Sequence, residues 1–358
     1  MPDEAKGPDG KLPRAVVLGC AGECLTPEER RFFAAADPFG FVLFRRNCRA
    51  PDQLRELVAE LRGCVERDNA PVLIDQEGGR VARLRPPQWR AYPAAARIAA
   101  LPDPLAFEAA KLGARLIADD LAGVGITIDC APVLDLPAPH SDPVIGDRAF
   151  GEEPERVARL GRAFCEGLLA GGVLPVIKHI PGHGRAVVDS HRACPRVDAE
   201  RAVLSHGDFA PFRALSAMAW SVLGAMPWAM TAHIVFAAID ETAPATFSQH
   251  LIDTIIRGEI GFDGVLVSDD ISMGALDGSL GERTRRALDA GCDLVLHCNG
   301  VIAEMAEIVD AARPISPAAR SRIAGGEQLR RSAREGFDRP AAELRFVELL
   351  SAAGNSGR

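Results

Sequence analysis

The chain has 358 residues, 47% apolar and 25% charged, with 34 Gly and 26 Pro; this is the balance of a globular protein with a sizeable core, and it excludes bulk disorder or a fibrous architecture. The 41 basic residues against 49 acidic ones give a formal charge of -8, with no Lys/Arg run long enough to follow a phosphate backbone, so nucleic acid is excluded as a partner. Nine Cys, an odd number without any Cys-x-x-Cys pair, fit a reducing compartment better than a disulfide framework or zinc ribbon.

Residues 1–13 carry Asp3, Glu4, Lys6, Asp9 and Lys11 without an apolar stretch, and read as a flexible leader, not a signal peptide. A cytoplasmic location follows. The first strand is expected over 15–19, and Thr26-Pro27-Glu28-Glu29 then offers a cap, a first-turn proline and acids at the positive end of a helix dipole. A second strand over 40–44 leads to a helix with Leu54, Leu57, Val58 and Leu61 on one face, and a third strand over 71–75 ends in Asp75-Gln76-Glu77-Gly78-Gly79-Arg80. Leu112, Leu116 and Ile117 mark the next helix, before a fourth strand over 126–129 that leads to Asp135. Val157, Leu160, Phe164 and Leu168 precede a fifth strand over 174–179, which ends in Lys178-His179.

Residues 214–239 contain no charged side chain and are long enough to span a bilayer, but Pro227 and His233 interrupt them, and a helix end, a loop and a sixth strand over 228–234 account for them equally well. No membrane partner is expected. Strands seven and eight fall at 264–268 and 294–297, and an Ala/Arg-rich helical tail follows Pro314. Eight strands alternating with helices predict parallel pairing and closure into a single (β/α)8 TIM barrel of the α/β class. The expected division is a leader at 1–13, a catalytic barrel at 14–335 and a helical tail at 336–358. No Gly-x-Gly-x-x-Gly follows the first strand, which weakens a dinucleotide-binding alternative.

In such a barrel, function gathers at the C-terminal strand ends. Lys178 stands out because the chain has four lysines against 37 arginines; it is either a structural ion-pair partner or a donor to a polar ligand. Asp189 and His191, two apart in a Gly-rich loop, can pair so that the imidazole relays a proton, although the same spacing suits an Asx-turn beside a solvated histidine. Asp269 is a candidate nucleophile or electrostatic partner, with Asp270 facing the opposite way if the pleat persists; the two carboxylates equally suit a helix cap.

Asp75-Gln76-Glu77-Gly78-Gly79-Arg80-Val81, Gly146-Asp147-Arg148, Lys178-His179-Ile180-Pro181-Gly182-His183-Gly184, Asp189-Ser190-His191 and Ser268-Asp269-Asp270-Ile271-Ser272-Met273 together resemble the bacterial β-N-acetylglucosaminidases of glycoside hydrolase family 3, in their single-domain cytoplasmic NagZ type. Gly19-Cys20-Ala21-Gly22 and Met230-Thr231-Ala232-His233 extend the resemblance over roughly 15–330. It implies hydrolysis of terminal β-linked N-acetylglucosamine with retention, through a covalent intermediate on Asp269, with His191 as acid/base and Asp189 as its partner. It also implies that Asp75, Arg83, Arg148, Lys178 and His179 hold the sugar, that no metal or cofactor is used, and that the substrate is an N-acetylglucosaminyl-anhydromuramyl fragment from peptidoglycan recycling. A monomer is expected. His183, His233, Glu77 and Arg80 are read as structural supports. Ile271 replaces a usual leucine, and 216–224 is longer than the family pattern. The rivals are a β-N-acetylglucosaminide phosphorylase or a broader β-glycosidase of the same family, and, from another class, a zinc-dependent barrel hydrolase.

Overall fold

The computed structural model describes residues 11–218 and 226–352. Most of the expected leader, the end of the tail, and the expected long segment 216–224 from residue 219 onward lie outside the described residues. Eight parallel strands close into a barrel: β1 (Arg14–Gly19), β2 (Pro38–Leu43), β3 (Val72–Ile74), β4 (Ile128–Asp129), β5 (Leu174–Ile180), β6 (Trp228–Thr231), β7 (Val265–Asp270) and β8 (Leu294–His297), with β1 paired to both β2 and β8. The expected (β/α)8 barrel is thus the observed fold. Its strands are apolar on both faces because side chains fill the inside and helices cover the outside; Val72, Leu73 and Ile74 are all fully buried.

The helices follow their sequence signals. In α1 (Pro27–Ala36), Thr26 Oγ1 accepts from Glu29 N at 3.1 Å while Glu29 Oε2 accepts from Thr26 N at 2.8 Å, a complete capping box. Glu29 Oε1 also takes the amide of Ala21 at 2.8 Å, tying the loop after β1 to the helix. In α2 (Pro51–Cys64), Leu54, Leu57, Val58 and Leu61 are buried; burial of each such side chain contributes about 1.5–3 kcal/mol. The next two, α3 (Asp103–Ala122) and α4 (Pro154–Ala170), pack against each other. Farther along, α5 (Ala210–Ser216), α6 (Leu280–Ala290), α7 (Ile302–Ala311) and α8 (Pro317–Ser332) continue the outer ring. The last, α9 (Arg339–Ala352), lies on α3 and turns Ala342, Phe346 and Leu349 inward. Gly113 makes room for it, since a Cβ there would meet the Phe346 ring at 2.9 Å.

Two departures from the expected strands matter for the site. β7 runs on through Asp270, and its pairing with β8 shifts register between Val267 and Asp270. The pairing of β5 with β6 shifts likewise between Lys178 and Ile180. Such irregularities at a barrel rim re-aim side chains, so strict alternation past Ser268 does not hold and the expected opposition of Asp269 and Asp270 loses its basis. Among the described residues no helix is long and apolar enough to cross a membrane; of the uncharged stretch, Trp228–Thr231 is a buried barrel strand.

Candidate active site

The wall of the mouth built from β3 and β5 is a chain of ions. Beyond β3 the backbone doubles back in a short hairpin, 76–78 against 81–82. Gly78 and Gly79 make the turn at φ of 101° and 57°, where a Cβ on Gly78 would lie 2.3 Å from Pro93 O. Gln76 holds the return: its Oε1 accepts from the amides of Arg83 at 2.8 Å and Leu84 at 3.0 Å. Arg83 is thereby brought back to Asp75, with Nη2 to Oδ2 at 2.7 Å. Lys178 Nζ, 2% exposed, reaches Asp75 Oδ1 at 2.8 Å and Glu77 Oε1 at 2.7 Å. Arg148 closes the chain with two bonds to Glu77, at 2.9 Å from Nε and 2.8 Å from Nη2.

Burial by itself raises the pKa of both carboxyls, yet the nearby cations win. Lys178 and then Arg83 hold Asp75 well below the carboxylate range, and Lys178 with Arg148 brings Glu77 down to about 2. Burial likewise opposes the charge on Lys178, but Asp75 and Glu77 outweigh it and raise its pKa. Asp129, fully buried at the end of β4, has no such cation in contact; burial pushes it up to about 8 against the opposing Gln76 amide and Lys178, which favours the protonated form. Arg80 supports the wall from outside, with Nε to Asp147 Oδ1 at 2.9 Å and Nη2 to Pro143 O at 3.1 Å.

The floor centres on Asp135. Its Oδ1 accepts from the amides of His179 at 3.1 Å and His183 at 2.7 Å, and its Oδ2 lies 2.7 Å from His179 Nδ1. His183 Nε2 then meets Ser190 Oγ at 3.0 Å. Through Ser190 the loop of Asp189-Ser190-His191 is joined to β5. Burial, reinforced by the positive field of His179, brings His183 down to about 4 despite Asp135, so it is neutral at pH 7. Gly184 packs where a Cβ would fall 1.8 Å from Leu136 O.

On the loop, Asp189 Oδ1 accepts from His191 N at 2.9 Å and lies 2.7 Å from His191 Nδ1. The structure thus shows the Asx-turn, and within it the ring of His191 is paired with Asp189. The ring points outward, its side chain 64% exposed. The loop is docked on the segment after β7: Ala275 N donates to Ser190 O at 3.0 Å and Gly274 N to His191 O at 3.3 Å.

Asp269 sits at the register shift of β7, half-buried. Its Oδ1 accepts the amide of Asp270 at 2.8 Å, and among the described residues it makes no ion pair. Its negative field is felt at His183 and His233. Asp270 is held differently, accepting from Ser272 N at 3.0 Å and lying 3.7 Å from His297 Nδ1. His233 braces this strand end from beneath, with Nε2 donating to Asp270 O at 3.1 Å and Nδ1 at 2.7 Å from Thr246 Oγ1.

The structure thus joins Asp75, Arg83, Arg148 and Lys178 in one network, places His179 beside it on Asp135, and sets the Asp189–His191 pair against the segment that follows Asp269. Glu77, read from sequence as a scaffold residue, is the second anion of that network, joining Lys178 to Arg148, and Asp135 organises His179 at the end of β5 and His183 just beyond it. The signal for Glu77 was its spacing of two from Asp75, which puts both on one side of an extended segment. Among the described residues no three His, Cys, Asp or Glu side chains group as metal ligands.

The family model for the glycosyl hydrolase family 3 N-terminal domain matches residues 28–323. The chain is 40% identical over 289 residues to a β-hexosaminidase of Alkalilimnicola ehrlichii, covering 79% of this chain and 80% of that protein. It is 39% identical over 287 residues to a β-hexosaminidase of Pseudomonas aeruginosa, covering 80% and 82%. Among solved structures, NagZ of Neisseria gonorrhoeae in complex with N-trifluoroacetyl-D-glucosamine superposes with a TM-score of 0.81 at 33% identity, over 94% of this chain and 98% of that one. The chain belongs to glycosyl hydrolase family 3, where it groups with the β-hexosaminidases.

Proposed function

We propose that this glycoside hydrolase is a retaining exo-β-N-acetylglucosaminidase working through a covalent glycosyl-enzyme on Asp269. The observation that carries this reading is the contrast at the mouth: Asp75, Glu77 and Asp135 are each committed to cations or histidine, whereas the Asp269 carboxylate has no ion pair among the described residues and stands at the end of the strand whose following segment docks the loop bearing His191. An uncommitted carboxylate keeps a lone pair for the anomeric carbon.

In the first step Asp269 attacks that carbon while protonated His191 gives its proton to the departing glycosidic oxygen. In the second, neutral His191 takes a proton from water, which attacks the anomeric carbon from the face the leaving group vacated, opposite Asp269, and releases the carboxylate. Asp189 fixes the imidazole through Nδ1, leaving Nε2 for the proton transfer, and balances its charge. Asp75 and Arg83, with Lys178, Arg148 and His179, offer acceptors and donors for sugar hydroxyls. The proposed substrate is an N-acetylglucosaminyl-anhydromuramyl fragment in cytoplasmic peptidoglycan recycling, in keeping with the NagZ likeness.

The test is hydrolysis of such a fragment followed by NMR of the first-formed anomer, with 2-fluoro sugar labelling and peptide mapping in parallel. A β product and label on Asp269 are expected. An α product, or label on another residue, overturns the assignment, and turnover that requires inorganic phosphate converts the reaction to phosphorolysis.

A further inference from the structure

A cavity lies at the end of the barrel opposite Asp269. It measures about 280 Å³ and lies among the N-terminal strand ends and the helices that close them, lined by Phe39, Ile128, Leu174 and Trp228 of the barrel together with Arg62, Arg330 and Arg334. Water occupies about 30 Å³ per molecule in the liquid, so this space is several waters large and approaches the lower range of small-molecule sites.

Its donors are unevenly used. Arg330 is spent: two nitrogens bond Glu327 at 2.7 and 2.6 Å and the third bonds Gly172 O at 3.0 Å. Arg62 spends Nε on Ala70 O at 3.1 Å and Nη2 on Gly125 O at 2.8 Å, which leaves Nη1 without a partner among the described residues. Arg334 makes no hydrogen bond or ion pair among the described residues, and Trp228 Nε1 is buried with no acceptor although the residue is only 1% exposed. A buried donor left without an acceptor has lost its water and gained nothing in return, so a ligand that accepts from it is favoured. Two glycines keep space beside the free guanidinium groups: a Cβ on Gly125 would approach Arg62 Nη1 to 3.3 Å, and one on Gly172 would touch Arg334 Cδ at 3.4 Å. Three guanidinium groups face two carboxylates, Asp68 and Glu327, so the lining carries an uncompensated positive charge. Burial, then the charge of Arg330, lowers the pKa of Arg62, a penalty that an anion would relieve.

We propose that this cavity is a second ligand site for a small organic monocarboxylate, with Arg62 Nη1 and Arg334 holding the carboxylate, Trp228 Nε1 donating to a further polar atom, and Phe39 and Trp228 supporting the apolar body. The stacked pair, with ring centroids 6.2 Å apart, supplies a flat apolar floor, and the single excess charge selects a monoanion over a polyanion.

Isothermal titration of the full chain with 3-phenylpropionate tests this, with inorganic phosphate as the comparison. Binding with a Kd of about 1 mM or tighter is expected, weakened about tenfold by Arg334→Ala through loss of a charge-assisted bond. Arg334 is exposed and anchors nothing, so the variant should unfold at the wild-type temperature. No heat with about 10 mM ligand, ten times that Kd, overturns the site. So does binding undiminished in Arg334→Ala, which would place the anion elsewhere, or binding of phosphate in preference to the carboxylate.

Discussion

The two walls of the barrel mouth use the same residue types to opposite ends. On the β3–β5 side, Asp75 and Glu77 are half-buried and saturated by Lys178, Arg83 and Arg148. On the β7 side, Asp269 has no ion pair among the described residues, and the imidazole of His191, on the loop docked beyond β7, stands in solvent, held only by Asp189. A carboxylate whose lone pairs are occupied by cations is rigid and permanently charged, a fixed template for hydroxyl groups. One without such partners gives up less to form a covalent bond. The difference lies in the partners, not in the carboxylates.

Substitutions on the two walls should therefore fail in different ways. Asp269→Asn keeps the Oδ1 acceptor for Asp270 N and breaks no ion pair, so turnover of an aryl β-N-acetylglucosaminide should drop by about 10⁴-fold or more with stability within about 0.5 kcal/mol of wild type. Steady-state kinetics beside denaturant unfolding would reveal it; a large loss of stability would mean that Asp269 is structural after all. Lys178→Met is the mirror case. It leaves two half-buried carboxylates facing each other beside an apolar side chain and should cost about 3–5 kcal/mol in urea unfolding.

Acid should attack the same wall. Glu77 has its pKa lowered to about 2 in the fold, so the stability it lends is present above its unfolded value of about 4.5 and disappears as the pH falls through the folded one. Asp75 is lowered too and adds to the same window. Wild type should lose stability progressively below about pH 4.5, and Lys178→Met, in which the carboxyls no longer gain from a shared cation, should show a shallower dependence there.

Sequence made much of this legible, for reasons that are local. Val72-Leu73-Ile74 and Val265-Leu266-Val267 announce strands buried on both faces, and Thr26 with Glu29 announces a helix start three residues apart. The Asp189–His191 pair is likewise local, closed by a two-residue spacing. What stayed hidden depends on register. Glu77 meets Lys178 101 positions away, and Asp135 reaches His179 across 44; neither pairing can be read without knowing how far each strand end projects. The shifts at Lys178/Ile180 and Val267/Asp270 are hidden too, because a bulge leaves the apolar pattern of the strand core intact while redirecting the residues past it.

The smaller effects probe how the exposed wall is held. His191→Ala should slow hydrolysis by about 10²–10⁴-fold when the leaving group is a poor one, and much less with a dinitrophenyl glycoside, whose departure needs no proton. Equal losses across leaving groups would make the histidine a structural residue.

Ser190 distinguishes the pair from its mounting. Its hydroxyl meets His183 Nε2 at 3.0 Å while its carbonyl accepts from Ala275 N, so Ser190→Ala removes only the first of two attachments. The cost of one such hydrogen bond is about 0.5–1.5 kcal/mol, which corresponds to roughly a two- to thirteenfold fall in kcat if the lost restraint is felt in the placement of His191. That fall should be larger for alkyl than for dinitrophenyl aglycones and leave KM nearly unchanged, because the sugar-holding wall is untouched. Ser190→Thr, which keeps the hydroxyl, should recover most of the rate. A fall of the same size on every leaving group would show that the serine serves the fold and not the proton transfer, and it would separate the two walls more sharply still: the ionic one organised by charge, the other by backbone docking and a few side-chain hydrogen bonds.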